Sequence, residues 1–246
     1  MNKLIFFAVI AAIAAGCTQQ HSSDSFNIEL VVLVDITDPH LIYPDAITLL
    51  EFAGVTADIY TGACITVIPI TDGDYTEAIL CKLPKENPLT VNKDLRKQKV
   101  KQFSKELSAQ LTVLAKRDSI KKAKSIVFRT CAKALNTLSK KTASHNARKV
   151  CIIYSDLLEH SSVSLYDSKT QELLNKDPEA VASALEQQYP LEDLNNISIF
   201  LVYKAPNYKE NEAYAKRSQV FAHIFRKHGA EVFIGSLGSR YADNYQ

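Results

Sequence analysis

The chain has 246 residues, 46% of them hydrophobic and 23% charged, with 29 basic against 27 acidic side chains for a net charge of +2. A length of this order suits one α/β domain with a packed core. The near balance of charge excludes the strong basic field on which nucleic-acid binding relies.

The chain opens MNKLIFFAVIAAIAAGC. One lysine precedes an apolar run over residues 4–15, shorter than the roughly 20 residues of a spanning helix and laid out as a signal peptide. Ala14, Ala15 and Gly16 directly before Cys17 resemble the lipobox of bacterial lipoproteins, with Ala14 where leucine is commoner. The resemblance implies cleavage before Cys17, acylation of that cysteine, and an exported chain held to a membrane by lipid. Residues 1–17 are therefore read as leader, the polar stretch 18–27 as a flexible tether, and 28–240 as the domain. No acidic cluster follows Cys17, which suggests a periplasm-facing location.

The run IELVVLVD over 28–35 is almost wholly apolar, the pattern of a strand covered on both faces. A helix is expected over about 44–54, with Pro44 at its start and Gly54 as its stop. Strands over 63–70 and 75–83 flank Asp72-Gly73, a hairpin signal. From Asn92, a fair N-cap, to about 117, Leu95, Val100, Phe103, Leu107, Leu111 and Leu114 recur at helical spacing. A further helix over 125–139 buries Val127, Cys131 and Leu135. Then come a strand over 148–156, a helix over 178–188, a strand over 197–205, a helix over 211–228 stopped by Gly229, and a last strand over 230–235. The stretches 84–93 and 160–177 are read as long connections. The alternation predicts a doubly wound α/β fold: six strands, mostly parallel with one antiparallel, and helices on both faces.

Two of these strands run straight into an aspartate, at Asp35 and Asp156. In such a sheet ligands bind beyond the carboxyl ends of the strands, where the order reverses. With the order 3-2-1-4-5-6, the first and fourth strands are neighbours at that point. Two carboxylates there repel, and a bound cation stabilises both as charged groups; magnesium prefers about six oxygen ligands. The alternative is that Asp35 and Thr37 cap the following turn while Asp156 accepts nearby backbone N–H groups.

The run Asp35-Ile36-Thr37-Asp38-Pro39, the loop hydroxyl Ser125 and the acid Asp156 in IIYSDLLEHSS together resemble the von Willebrand factor A-like domains, in a divergent bacterial branch. The resemblance covers residues 28–236. It implies a metal-ion-dependent adhesion site with Asp35, Thr37, Ser125 and Asp156 as its magnesium-site residues, and a protein partner completing the site with an acidic side chain. Pro39 departs from the family pattern because it stands where a serine ligand belongs; Asp38 is the candidate replacement. The implied function is assembly or adhesion rather than catalysis. The alternatives are a metal-dependent phosphatase-like hydrolase using Asp35, or a structural lipoprotein whose site has decayed.

The enzyme reading rests on little. DITD resembles the aspartate motif of haloacid dehalogenase-type phosphatases, but Thr37 sits where their second aspartate belongs. The chain holds no Gly-x-Ser-x-Gly elbow, phosphate-binding glycine loop or His-Glu-x-x-His run. Glu159 and His160 are read as solvated loop side chains that could serve as acid or base. An export route makes disulfides plausible, and a hairpin centred on Asp72-Gly73 puts Cys64 opposite Cys81, so that pair is the expected bridge. Cys131 and Cys151 read as core thiols. Residues 93–124 hold eleven Lys or Arg against three acids, read as a solvated helix face without the aromatic platforms that nucleic acid requires.

Overall fold

The computed structural model describes residues 25–38, 41–73, 78–116, 124–141 and 147–235. The expected leader, Cys17, most of the expected tether, Pro39 and residues 74–77 lie outside them. The chain order is β1 (Ile28–Asp35), α1 (Ala46–Phe52), β2 (Ala63–Ile70), β3 (Ile79–Leu83), α2 (Lys93–Ala115) and α3 (Val127–Lys140). It continues with β4 (Arg148–Tyr154), α4 (Ser168–Lys176), α5 (Pro178–Gln188), β5 (Ile197–Val202), α6 (Tyr208–Lys227) and β6 (Glu231–Ile234).

The six strands form one sheet in the order β3-β2-β1-β4-β5-β6. Only the β2–β3 pair is antiparallel. This is the expected doubly wound α/β architecture, with the order shared by Rossmann-like and von Willebrand factor A-like sheets. β1 is central and buried at every position, which is why its sequence shows no polar alternation. Alternate residues of β1 feed two separate apolar layers. Leu30, Val32 and Val34 pack with α1 and α2, while Val31 and Leu33 pack with α3, α5 and α6. Among the described residues, all six strands and both layers lie within residues 25–235. Among the described residues no helix is long and apolar enough to cross a membrane.

Helix boundaries follow local chemistry. The Asn92 side chain accepts from the N–H groups of Asp94 and Leu95 and starts α2. Asp177 caps α5, with Pro178 in its first turn. Asp45, not Pro44, caps α1, accepting from the Thr48 N–H at 2.9 Å. Gly229 ends α6 at φ 92°, in the left-handed region that favours glycine. α4 occupies what sequence alone presents as a long connection, because its nine residues bury one leucine, Leu174, too little for a periodic signal.

Two further expectations are corrected. The hairpin register pairs Cys64 with Lys82 and Ile65 with Cys81, so its centre falls on Gly73 instead of between Asp72 and Gly73. One residue of slip reverses the face of a strand side chain. Cys64 and Cys81 therefore point to opposite sides of the sheet and are free thiols, as are Cys131 and Cys151. Burial, with Glu106 and Cys64 nearby, pushes the Cys81 thiol up to about 11.

In α2, Phe103, Leu107, Leu111 and Leu114 are buried as expected, but Leu95 is exposed and the fully buried residue is Arg96. Its guanidinium donates to the carbonyls of Ile59, Thr61 and Pro84 and pairs with Glu86 at 3.5 Å. A charge is buried here because it meets that many acceptors.

Candidate functional site

The carboxyl ends of β1 and β4 meet around Asp35. The parallel register sets Val34 beside Tyr154, so the next pair along is Asp35 and Ser155. Asp35 is fully buried and accepts four hydrogen bonds. Thr37 donates to Oδ1 through its hydroxyl at 2.7 Å and its N–H at 3.2 Å. Ser155 and Ser125 donate to Oδ2 at 2.7 and 3.1 Å. Burial raises the Asp35 carboxyl above its ordinary range, and the hydrogen bonds from Thr37, Ser155 and Ser125 oppose that rise.

Each hydroxyl is fixed by a separate piece of backbone. Thr37 follows β1 in a turn closed by the Asp38 N–H donating to the Asp35 carbonyl at 3.3 Å. Ser125 precedes α3; its carbonyl accepts from the His160 N–H at 2.8 Å, and the neighbouring Ile126 N–H donates to Thr71 at 3.1 Å. Ser155 is held from behind by the Leu157 N–H, which donates to its hydroxyl at 2.9 Å. Leu157 adopts φ 60° and is fully buried. A leucine in the left-handed region is a local strain that the surrounding packing sustains.

Asp156 is not among the hydrogen-bond partners of Asp35. Its Oδ1 accepts from the Leu158 N–H at 2.8 Å, and its carboxyl lines a neighbouring cleft of about 360 Å³ with Thr37, Asp38, Tyr166, Tyr203 and Glu210. Burial, then the charges of Asp35 and Asp38, push Asp156 up to about 7. The same carboxyl cluster, added to burial, raises Tyr166 to about 12. Arg217 of α6 partly offsets this. Its Nε donates to the Asp156 carbonyl at 2.8 Å and its Nη2 pairs with Glu210, which fastens α6 to the end of β4. Lys124 lies 5.1 Å over the Tyr166 ring.

Glu159 and His160 are built in, not solvated. Glu159 is fully buried, and its Oε2 accepts from the Phe128 N–H in the first turn of α3 at 2.7 Å. α3 lacks a side-chain cap of its own, so Glu159 satisfies an orphan donor from across the chain. Burial pushes Glu159 up to about 7, against its backbone hydrogen bond from Phe128. His160 sits 3.3 Å from the Ser164 hydroxyl and edge-on to Tyr166.

The structure thus brings Asp35, Thr37 and Ser125 into direct contact and sets Asp38 and Asp156 along one cleft beside them. Sequence reasoning missed Ser155, Arg217, Glu210 and the two tyrosines. Ser155 was detectable as the residue one short of Asp156 on a strand in register with β1. The others come from α6 and loops with no local signal.

The donor set suits a hard divalent cation. It is all oxygen, and the hydroxyls of Thr37 and Ser125 donate their protons to Asp35, which leaves their oxygens as acceptors. Burial, then the charges of Asp35 and Asp38, raise the Asp156 carboxyl beside them, with Arg217 opposing that rise. Asp35 itself has about four lone-pair sites and four donors on them, so its part is to orient the hydroxyls. Among the described residues no cluster of three His, Cys, Asp or Glu stands ready to hold a metal; any cation here depends on hydroxyl ligands.

No family model matches the chain, and no curated protein matches it. Among solved structures the chain is similar to an aerotolerance-related membrane protein from Bacteroides fragilis, at 11% identity and a TM-score of 0.38 over 87% of this chain and 94% of that one. It is similar to the PilB minor pilin from Streptococcus sanguinis, in a mutant form, at 10% identity and 0.43 over 89% of this chain and 59% of that one. The conserved hypothetical protein BatB from Bacteroides thetaiotaomicron gives 12% identity and 0.36 over 87% and 93%.

Proposed function

We propose that the chain is a divergent von Willebrand factor A-like binding module, exported, lipid-anchored at Cys17 and facing the periplasm, which docks a partner protein at the carboxyl ends of β1 and β4. The observation that carries this reading is the convergence of the Thr37, Ser125 and Ser155 hydroxyls on the single carboxyl of Asp35. Three separate elements spend buried polar groups there, beside a cleft lined by further carboxyls. Thr37 and Ser125 would hold a magnesium ion with Asp156 and Asp38, and Asp35 would fix the hydroxyls. A bound cation would offer a coordination position for an acidic side chain of the partner.

Two observations favour binding over hydrolysis at Asp35. Its carboxyl is fully buried, and both oxygens are occupied by donors, so no lone pair is left to attack a substrate.

Calorimetric titration of the full chain with magnesium chloride tests the site. Heat of binding is expected for the wild type and its loss for Thr37→Ala and for Ser125→Ala, each checked for folding by circular dichroism. Equal heats in all three proteins reject the cation site. Palmitate labelling of the full chain in cells tests the anchor, with loss expected in Cys17→Ser; labelling that persists removes the lipoprotein assignment.

A further inference from the structure

We propose that the turn between β3 and α2, with Leu89 at its tip, rests on the lipid bilayer and holds the domain with its candidate site facing away from the membrane. The inference rests on the lipid anchor proposed above and goes on to name the part of the domain that meets the lipid.

The register fixes the end of the sheet to which this turn belongs. Ile28, Ala63, Arg148 and Leu83 lie in one row, at the amino ends of β1, β2 and β4 and the carboxyl end of antiparallel β3. The turn departs from Leu83 at that end. The described chain enters at the same place, where the Lys85 N–H donates to the Ser25 carbonyl and the Asn27 N–H to the Gly62 carbonyl, both at 2.8 Å. Seven residues separate Ser25 from Cys17, a span of at most about 30 Å. Asp35 stands at the far end of β1, about 23 Å beyond Ile28 at the usual rise per residue. An acyl group on Cys17 therefore tethers the domain by the end that carries the turn, opposite the end that carries the site.

The turn has the form of a wedge. Leu89 is 91% exposed, and Leu95 in the first turn of α2 is 56% exposed. Single exposed apolar side chains are ordinary; these two are set apart by how firmly the backbone beneath them is held. Asn87 accepts the Leu89 N–H on its side chain at 2.9 Å and the Thr90 and Val91 N–H groups on its carbonyl at 3.1 and 3.2 Å. The Glu86 N–H donates to the Tyr60 carbonyl at 3.2 Å, and the buried Arg96 donates to the Pro84 carbonyl at 3.0 Å. Gly62 packs so closely that a Cβ there would lie 2.4 Å from the Lys85 nitrogen. The polar backbone groups are used in fixing the turn, and the leucine at its tip is left in solvent. A leucine presented in this way, at the anchored end, buries into the boundary between headgroups and acyl chains. Charge contributes less. Residues 84–99 hold five Lys or Arg against two acids, but Arg96, Lys97 and Lys99 are paired with Glu86 and Asp94.

The test uses the full chain, purified from membranes and reconstituted in vesicles of phosphatidylethanolamine and phosphatidylglycerol. Thr90→Cys places a reporter thiol beside Leu89. Tyr208→Cys places one at the other end of the sheet, where the chain leaves β5 for α6. Each is labelled with bimane, the four domain cysteines being buried. Lipids carrying a nitroxide on the acyl chain are expected to quench bimane at position 90 about twofold and to leave position 208 unchanged. Adding Leu89→Glu to Thr90→Cys is expected to remove most of that quenching. Palmitate labelling of the same preparations reports the anchor separately. Palmitate on Cys17 without quenching at position 90, or with equal quenching at both positions, overturns the inference and leaves the anchor standing. Quenching that Leu89→Glu does not reduce overturns it as well, because the turn is then near the bilayer without resting on it. Absence of palmitate removes the anchor and this inference together. A bimane blue shift that grows with protein density, without nitroxide quenching, makes a second copy the occupant and overturns the inference.

Discussion

Ser155 donates its hydroxyl to Asp35 across two neighbouring parallel strands, 120 residues apart in sequence and 2.7 Å apart in space. With Ser125 on the same oxygen, this contact closes the carboxyl end of the sheet. Asp35→Ala leaves three hydroxyls and one N–H without their acceptor. Leaving buried donors unsatisfied costs about 3 kcal/mol or more, a fall of about 10 °C in Tm for a domain of this size. Asp35→Asn, which keeps one acceptor oxygen, is expected to lose roughly half as much. Thermal unfolding in EDTA measures both, and equal losses would contradict the hydrogen-bonding role.

The buried carboxyl of Glu159 sets a pH dependence. Its folded pKa is raised to about 7 from an ordinary 4.5, so between those values the native state keeps a proton that the unfolded chain releases. Stability contributed by this group is therefore full below about pH 4.5, declines as pH rises, and levels off above about 7. The loss is roughly 3 kcal/mol. Glu159→Gln preserves the acceptor for Phe128 and removes the titration, so its denaturant midpoint is expected to fall less across that window. Asp156 is shifted the same way and leaves a residual slope. Parallel wild-type and Glu159→Gln profiles would show that Glu159 does not titrate as described.

Arg96 holds three carbonyl oxygens of the segments on either side of β2 and β3. Arg96→Met fills similar space but leaves those acceptors unmet, with Glu86 unpaired from it. A loss of about 3 kcal/mol is expected. Arg96→Lys reaches fewer acceptors and should recover only part of it. Urea unfolding of the three proteins checks the order, and a wild-type midpoint for Arg96→Met would show that the guanidinium is dispensable.

The four domain cysteines are free and buried. A thiol reagent is expected to label none of them quickly in the native domain and all four in urea without reductant. Labelling of only two in urea would restore the Cys64–Cys81 bridge.

Much of this fold was readable from local chemistry. The unbroken apolar run of β1, the spacing of Phe103, Leu107, Leu111 and Leu114, and the caps Asn92 and Gly229 each act within a few residues of themselves. They therefore leave a pattern in sequence, and so does the position of Asp35 and Asp156 at or just past the carboxyl ends of two strands. The tertiary structure alone decided which side chain meets Asp35. Strand side chains alternate with a period of two, so one residue separates Ser155, which touches it, from Asp156, which faces the next cleft. The same parity separated Cys64 from Cys81, and the hairpin register that set it lies in packing between strands. Arg96 and Glu159 read as surface charges because their polar partners come from segments far away in the chain. Burial of such groups is settled only when distant backbone arrives to satisfy them.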